Sequence, residues 1–227
     1  MLTDRDGHQR APHQLPPGRH GLSRSFVAAN QRERMLDALA DVVSFKGYVA
    51  MSVEDIVSAA GVSRRTFYDN FKGKEDAFLE AFDAVGSELI RRVGATHDAN
   101  ERFADGVIDG LRAFLEFAAS EPRYADMCIV EVLAAGPAAI GRRNVVMKAL
   151  AELLHRGAQT VPSGIRPPEL TAETVVGGVY EVVYSRVLQG EAADLPTLLP
   201  DLAYSMMLPY LGHEDAEIAI LGLTAQS

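Results

Sequence analysis

Cysteine is almost absent from this 227-residue chain. Cys128 stands alone, so no intramolecular disulfide can form, and a reducing, cytoplasmic setting is expected. The lone thiol reads as a small apolar core group. Long apolar runs are missing too. The longest, Met127 to Ile140, is short and broken by Glu131, so neither a membrane span nor a membrane partner is expected. Residues 1–22 carry Pro, Arg and His rather than the apolar run of a signal peptide. The chain has no Gly-rich phosphate loop, no nucleophile elbow and no cluster at metal-ligand spacing. Its six histidines are scattered, with His8, His13 and His20 near the start. These absences argue against an enzyme and leave no expected catalytic residue, metal or cofactor.

What is present is an apolar share of 48%, enough for a real core, and a net charge of −9 that is unevenly spread. Residues 1–75 hold eleven Lys/Arg against nine Asp/Glu, and the rest hold eleven against twenty-two. A near-neutral head with clustered cations thus sits on an acidic body. Local field rather than net charge decides where a polyanion docks.

Apolar periodicity predicts an all-α chain. Residues 1–22 form a polar tail, expected to be disordered. A three-helix head comes next over 23–73, then a bundle of about six helices over 74–212, and a C-terminal tail over 213–227. Met35, Leu36, Leu39, Val42 and Val43 mark the first helix, which Gly47 ends. Ser52 precedes Val53-Glu54-Asp55 as a capping-box variant, predicting a second helix to about Ala60 with Ile56, Ala59 and Ala60 inward. Gly61 suits a left-handed exit, and Ser63 caps a third helix to about Phe71. Pro122 suits the first turn of a sixth helix over Tyr124 to Ala135. The segment Thr174 to Tyr180 could be a hairpin through Gly177-Gly178. A helix fits better, because Val176, Val179, Tyr180, Val183 and Val187 share one helical face. Close approach to a neighbouring helix would then compensate for the two glycines.

The segment Gly61 to Glu75, GVSRRTFYDNFKGKE, carries the most information. With the second helix it forms a helix-turn-helix, whose second helix enters a DNA major groove. Val62, Phe67 and Phe71 anchor it. Arg64, Arg65, Thr66, Tyr68, Asp69 and Asn70 are left largely outward. Arg suits guanine, Asn suits adenine, and the Thr methyl suits thymine. Lys74 and the free N–H groups opening the fourth helix suit a phosphate. Ser52 and Ser63 complete the candidate DNA-binding set.

At these residues the chain resembles the TetR family of bacterial repressors, through Gly61-Val62-Ser63, Thr66-Phe67-Tyr68, Phe71-Lys72 and Lys74-Glu75. The resemblance implies a homodimer with a DNA-binding head and a ligand-binding body. It implies that Thr66, Tyr68 and Lys74 touch the DNA backbone, while positions 64, 65 and 70 help select an operator. Two positions depart from the family pattern: Arg65, where Gly is frequent, and Asn70, where His is common. It also implies an effector site among the body helices, for which Phe114, Phe117, Tyr124, Met127, Cys128, Leu150, Leu154 and Tyr180 are the candidates. Such an apolar-aromatic set suits a hydrophobic small molecule. The last two helices, near 171–190 and 195–211, would pair with their copies. Val176, Val183, Leu199, Leu202, Met206 and Tyr210 are the candidate interface, since the last helix is apolar nearly all round and needs cover on two sides. The expected partners are an operator duplex, a second copy and an effector that shifts the heads through the fourth helix. The alternative is a helical small-molecule carrier or interaction module without a DNA role.

Overall fold

The computed structural model describes residues 24–161 and 167–224, which are helical throughout with no strand among them. The expected leader, residues 1–22, and most of the Pro/Gly loop near 161–168 lie outside the described residues. The head contains α1 (Arg24–Lys46), α2 (Val53–Ala60) and α3 (Arg64–Asn70). The body contains α4 (Lys74–Ala99), α5 (Phe103–Ser120), α6 (Pro122–Ala125), α7 (Pro137–Ala158), α8 (Thr171–Leu188), α9 (Leu199–Leu211) and α10 (His213–Thr224). The all-helical class and the N-terminal helix-turn-helix are as expected. No single described helix is long and apolar enough to cross a membrane.

Local chemistry sets the head. At α2 the Ser52 Oγ accepts from the Asp55 N–H at 3.3 Å, while the Asp55 carboxylate accepts from the Ser52 N–H at 3.0 Å. Two donors at the helix start are thereby satisfied. Gly61 closes α2 at φ +63°; its N–H donates to Ser58 O and that of Val62 to Val57 O, the paired bonds of a left-handed helix stop. A side chain here would also meet Arg34, whose guanidinium donates to the Ala60 carbonyl. Ser63 caps α3 by accepting from the Thr66 N–H at 3.0 Å.

Two apolar cores result. One, under the head, gathers Met35, Leu39, Val43, Ile56, Phe67, Phe71, Phe78 and Phe82. The other fills the body between α5, α7, α8, α9 and α10, around Leu111, Leu115, Leu154, Val183, Leu195 and Met207. Along α5, Phe103, Val107, Leu111, Leu115 and Ala118 recur at three- and four-residue steps and are all buried. Helix α4 runs from the head into the body core.

The structure departs from expectation at several places. Residues 213–224 are not a tail: α10 packs along α9, with Ala216 wholly buried. The sixth helix is not uniform. After α6 the chain widens into a π-turn over Asp126–Val130 and tightens into a 3-10 turn over Glu131–Leu133. Ala59 is exposed, and Val57 is buried in its place. The segment 174–180 is helical, but nothing lies within 4 Å of where a side chain would stand on Gly177 or Gly178. Among the described residues no other helix comes that close to them.

The largest departure concerns the face expected to pair with a second copy. Val176, Val183, Leu202 and Tyr210 are buried inside their own subunit, Val183 at 0% exposure, and Tyr210 packs edge-on against Phe103. Met206 reaches an internal cavity, and Leu199 packs partly against the same core. Val183 and Tyr210 offer a partner almost no surface, and Val176 and Leu202 offer little. The apolar groups on the outer side of α8 and α9 are Val182, Leu188 and Leu208.

Candidate nucleic-acid interface and effector cavity

α3 presents a polar side whose members differ in freedom. Arg65 is the freest, with a 91% exposed side chain that only approaches Asp69 at 4.0 Å. Arg64 is exposed and lies 3.8 Å from Glu54 on α2. At such separations in water the pairs are weak, so a nucleic acid would compete for both cations with little loss. Tyr68 is half exposed, its ring braced edge-on against buried Phe67 at 5.4 Å. A rigid hydroxyl thereby stands at the surface.

Five of the expected contacts, Ser52, Ser63, Thr66, Asn70 and Lys74, make hydrogen bonds inside the protein. The Asn70 amide donates to the Thr66 carbonyl at 2.8 Å, and the Asn70 carbonyl accepts from Arg32. One of the two N–H donors of the amide that would read adenine is thus engaged in closing α3. The Thr66 hydroxyl lies 2.9 Å from the Ser63 hydroxyl. Lys74 is the clearest case. Its Nζ donates to the carbonyls of Tyr48 at 3.1 Å, Val49 at 3.3 Å and Met51 at 2.9 Å, above the Tyr48 ring. All three ammonium donors are used, so Lys74 holds the turn before α2 onto the start of α4 rather than standing free. Ser52, likewise, is occupied as the α2 cap. The free cation beside this face is Lys72. It is exposed and forms no ion pair among the described residues, while its N–H donates to Asp76. Its place in the motif carried no expected contact. Lys46 is not free, because its hydrogen bond to Asp55 at 2.5 Å, with help from Ser52, holds that carboxyl down at about 2.

In the body, α4, α5, α6 with its π-turn, α7, α8 and α9 enclose a cavity of about 150 Å³. Phe114, Phe117, Tyr124, Cys128, Leu150, Leu154 and Tyr180 line it as expected candidates. Met127 does not: the π-turn rotates it to the opposite side, where it is wholly buried in the core under the head. Burial pushes the Cys128 thiol well above its ordinary range, so it is an inert wall group. The wall also contains Arg143, which is not among the expected candidates. Its signal was legible, since Arg143, Met147, Leu150 and Leu154 share one face of α7.

The same segment touches the head. The Tyr124 hydroxyl donates to Asp37 on α1, and Arg123 pairs with Asp41 at 2.9 Å. The Glu131 carboxylate accepts from the Tyr48 N–H at 2.6 Å. It also lies against Gly47, whose φ of +77° ends α1. One face of residues 122–133 therefore walls the cavity and the other grips α1. Periodicity could not show this, because the division depends on the altered winding.

Comparison with known proteins agrees with this geometry. Residues 35–81 match the family described as "Bacterial regulatory proteins, tetR family". The HTH-type transcriptional regulator AlkX of Mycobacterium tuberculosis is 29% identical over 92 residues, covering 40% of this chain and 44% of that protein. The chain thus matches less than half the length of this curated relative. The fatty acid degradation regulator FadR from Bacillus halodurans superposes with a TM-score of 0.69 at 21% identity, over 80% of this chain and 95% of that one. FadR from Bacillus subtilis, solved in complex with stearoyl-CoA, does so with a TM-score of 0.67 at 21% identity, over 79% and 98%. At these identities the two structures show a shared fold. Through the helix-turn-helix of residues 35–81, the chain is similar to the tetR family of bacterial regulatory proteins.

Proposed function

We propose that this chain is a transcription regulator that binds a partly palindromic operator and leaves it when a small apolar molecule fills the body cavity. One observation carries the reading. Residues 122–133 wall the cavity on one side and hold α1 on the other, while α4 joins the same cavity to α3. A ligand that fits the cavity in only one arrangement of these elements shifts the population of head positions.

Two copies are part of this reading, one α3 for each half-site. The support is the outer side of α8 and α9, where Val182, Leu188 and Leu208 are exposed and open space stands over Gly178, four residues before Val182. A partner helix can approach closely over such a glycine.

Gel retention with DNA from the region upstream of the chain's own gene, at moderate salt, tests the proposal. Selective, salt-sensitive retention is expected, lost in Arg64→Ala/Arg65→Ala. Equal retention of unrelated DNA would leave a helical carrier without a regulatory role.

A further inference from the structure

Among the described residues the cavity wall is apolar or aromatic except on α7, where Arg143 is its one charged side chain. The neighbouring cations of α7 have acidic partners, Arg142 with Asp83 and Lys148 with Glu152. Arg143 pairs with no carboxylate among the described residues. Its guanidinium lies over the Tyr180 ring, Cζ 3.9 Å from the centroid, and its Nη1 donates to the Asn144 amide oxygen at 3.1 Å. Its Nε is buried and finds no acceptor. Tyr180 supplies no counter-charge, since its hydroxyl donates to the Ile129 carbonyl at 2.6 Å and burial raises its pKa.

Arg143 is partly buried, and its unmet Nε donor is a cost that an arriving acceptor would relieve. Arg143 lines the cavity with its Cζ held over the Tyr180 ring, and the Nε side of a guanidinium is one of the edges that suits a planar anion. We propose that the cavity takes a single-chain amphiphile with an anionic head, its chain among Phe114, Met147, Leu150 and Leu154 and its head oxygens on the Nε edge of Arg143. A cationic ligand would face Arg143 with no acid in the wall to receive it. The inference rests on the reading of this cavity as an effector site, and adds the ligand's charge and the residue that selects it.

Calorimetric titration of the full chain with laurate, dodecanol, dodecylamine and lauroyl-CoA, without DNA, tests it. Laurate should bind about tenfold tighter than dodecanol, the preference expected of one charge-assisted pair. Arg143→Met should abolish that preference and leave dodecanol binding unchanged, and Arg143→Lys should restore part of it. Lauroyl-CoA separates two sources of the charge. Tighter Arg143-dependent binding of laurate assigns a chain-end carboxylate, and of lauroyl-CoA a phosphate beyond a neutral thioester. Equal affinity for laurate and dodecanol with no Arg143-dependent binding of lauroyl-CoA, tightest binding of dodecylamine, or an anion preference that survives Arg143→Met would overturn the proposal while leaving an apolar effector site in place. Binding of none of the four overturns both.

Discussion

The Tyr124 hydroxyl donates a 2.5 Å hydrogen bond to the Asp37 carboxylate, joining a cavity-wall residue to the first helix of the head. Deleting that hydroxyl keeps the ring in the wall and removes the link. A half-buried bond to a charged acceptor contributes about 1 kcal/mol net, roughly a fivefold effect. Tyr124→Phe should therefore bind an effector normally, while the ratio of operator affinities without and with effector shrinks by that factor. Anisotropy titration of labelled operator reads the ratio directly. An unchanged ratio would remove this bond from the coupling.

Lys72 and Lys74 stand two residues apart and have separate expected roles. Lys72→Ala should lower the slope of log affinity against log salt by about one unit, the signature of one lost phosphate contact, with no change in melting temperature. Lys74→Ala removes the ammonium that three carbonyls share. A loss near 2 kcal/mol is expected, lowering the melting temperature by about 4–8 °C. A reduced salt slope with an unchanged melt in Lys74→Ala would return that lysine to the phosphate contacts first expected of it.

Asp126 couples stability to pH. Burial, with the Glu131 charge adding to it, raises its carboxyl to about 6. Between its ordinary value near 4 and this raised value, the folded chain keeps a proton that the unfolded chain has lost. Stability therefore falls as pH rises through that window, and the cost is complete above about pH 6. Asp126→Asn should be more stable than the parent by about 1 kcal/mol near neutrality, a figure reduced for the group's partial exposure. The two should melt alike near pH 4. Urea unfolding at both pH values decides it; a gain at pH 4 equal to that at neutrality would locate the effect in packing rather than in charge.

Much of the head was legible because its signals are local. Ser52, Gly61 and Ser63 act within four residues of their own positions, and each does in the structure what its chemistry predicts. Competition between partners was not legible. Asn70 and Lys74 have donors suited to DNA, but carbonyls from Thr66 and from the 48–51 turn reach them first. The outer face of α8 and α9 failed for another reason. A helix apolar all round gives no periodic cue to which apolar side turns inward, so Val183 and Leu202 carry the same signal as Val182 and Leu208, and only packing separates them. The winding change after α6 has no residue signature either, and it alone moves Met127 out of the cavity wall.

That winding change also bears on how such chains diverge. A π-turn accommodates one more residue than a regular helix, and each residue added or removed rotates the downstream chain by about 100°. Loss of a single codon within 126–130 would leave Tyr124 facing the lumen while swinging Glu131 away from Tyr48. Point mutations in the wall adjust ligand preference by degrees. A one-residue deletion here would instead break part of the link between wall and head at once, so descendants that keep the same lining can differ in whether they respond at all.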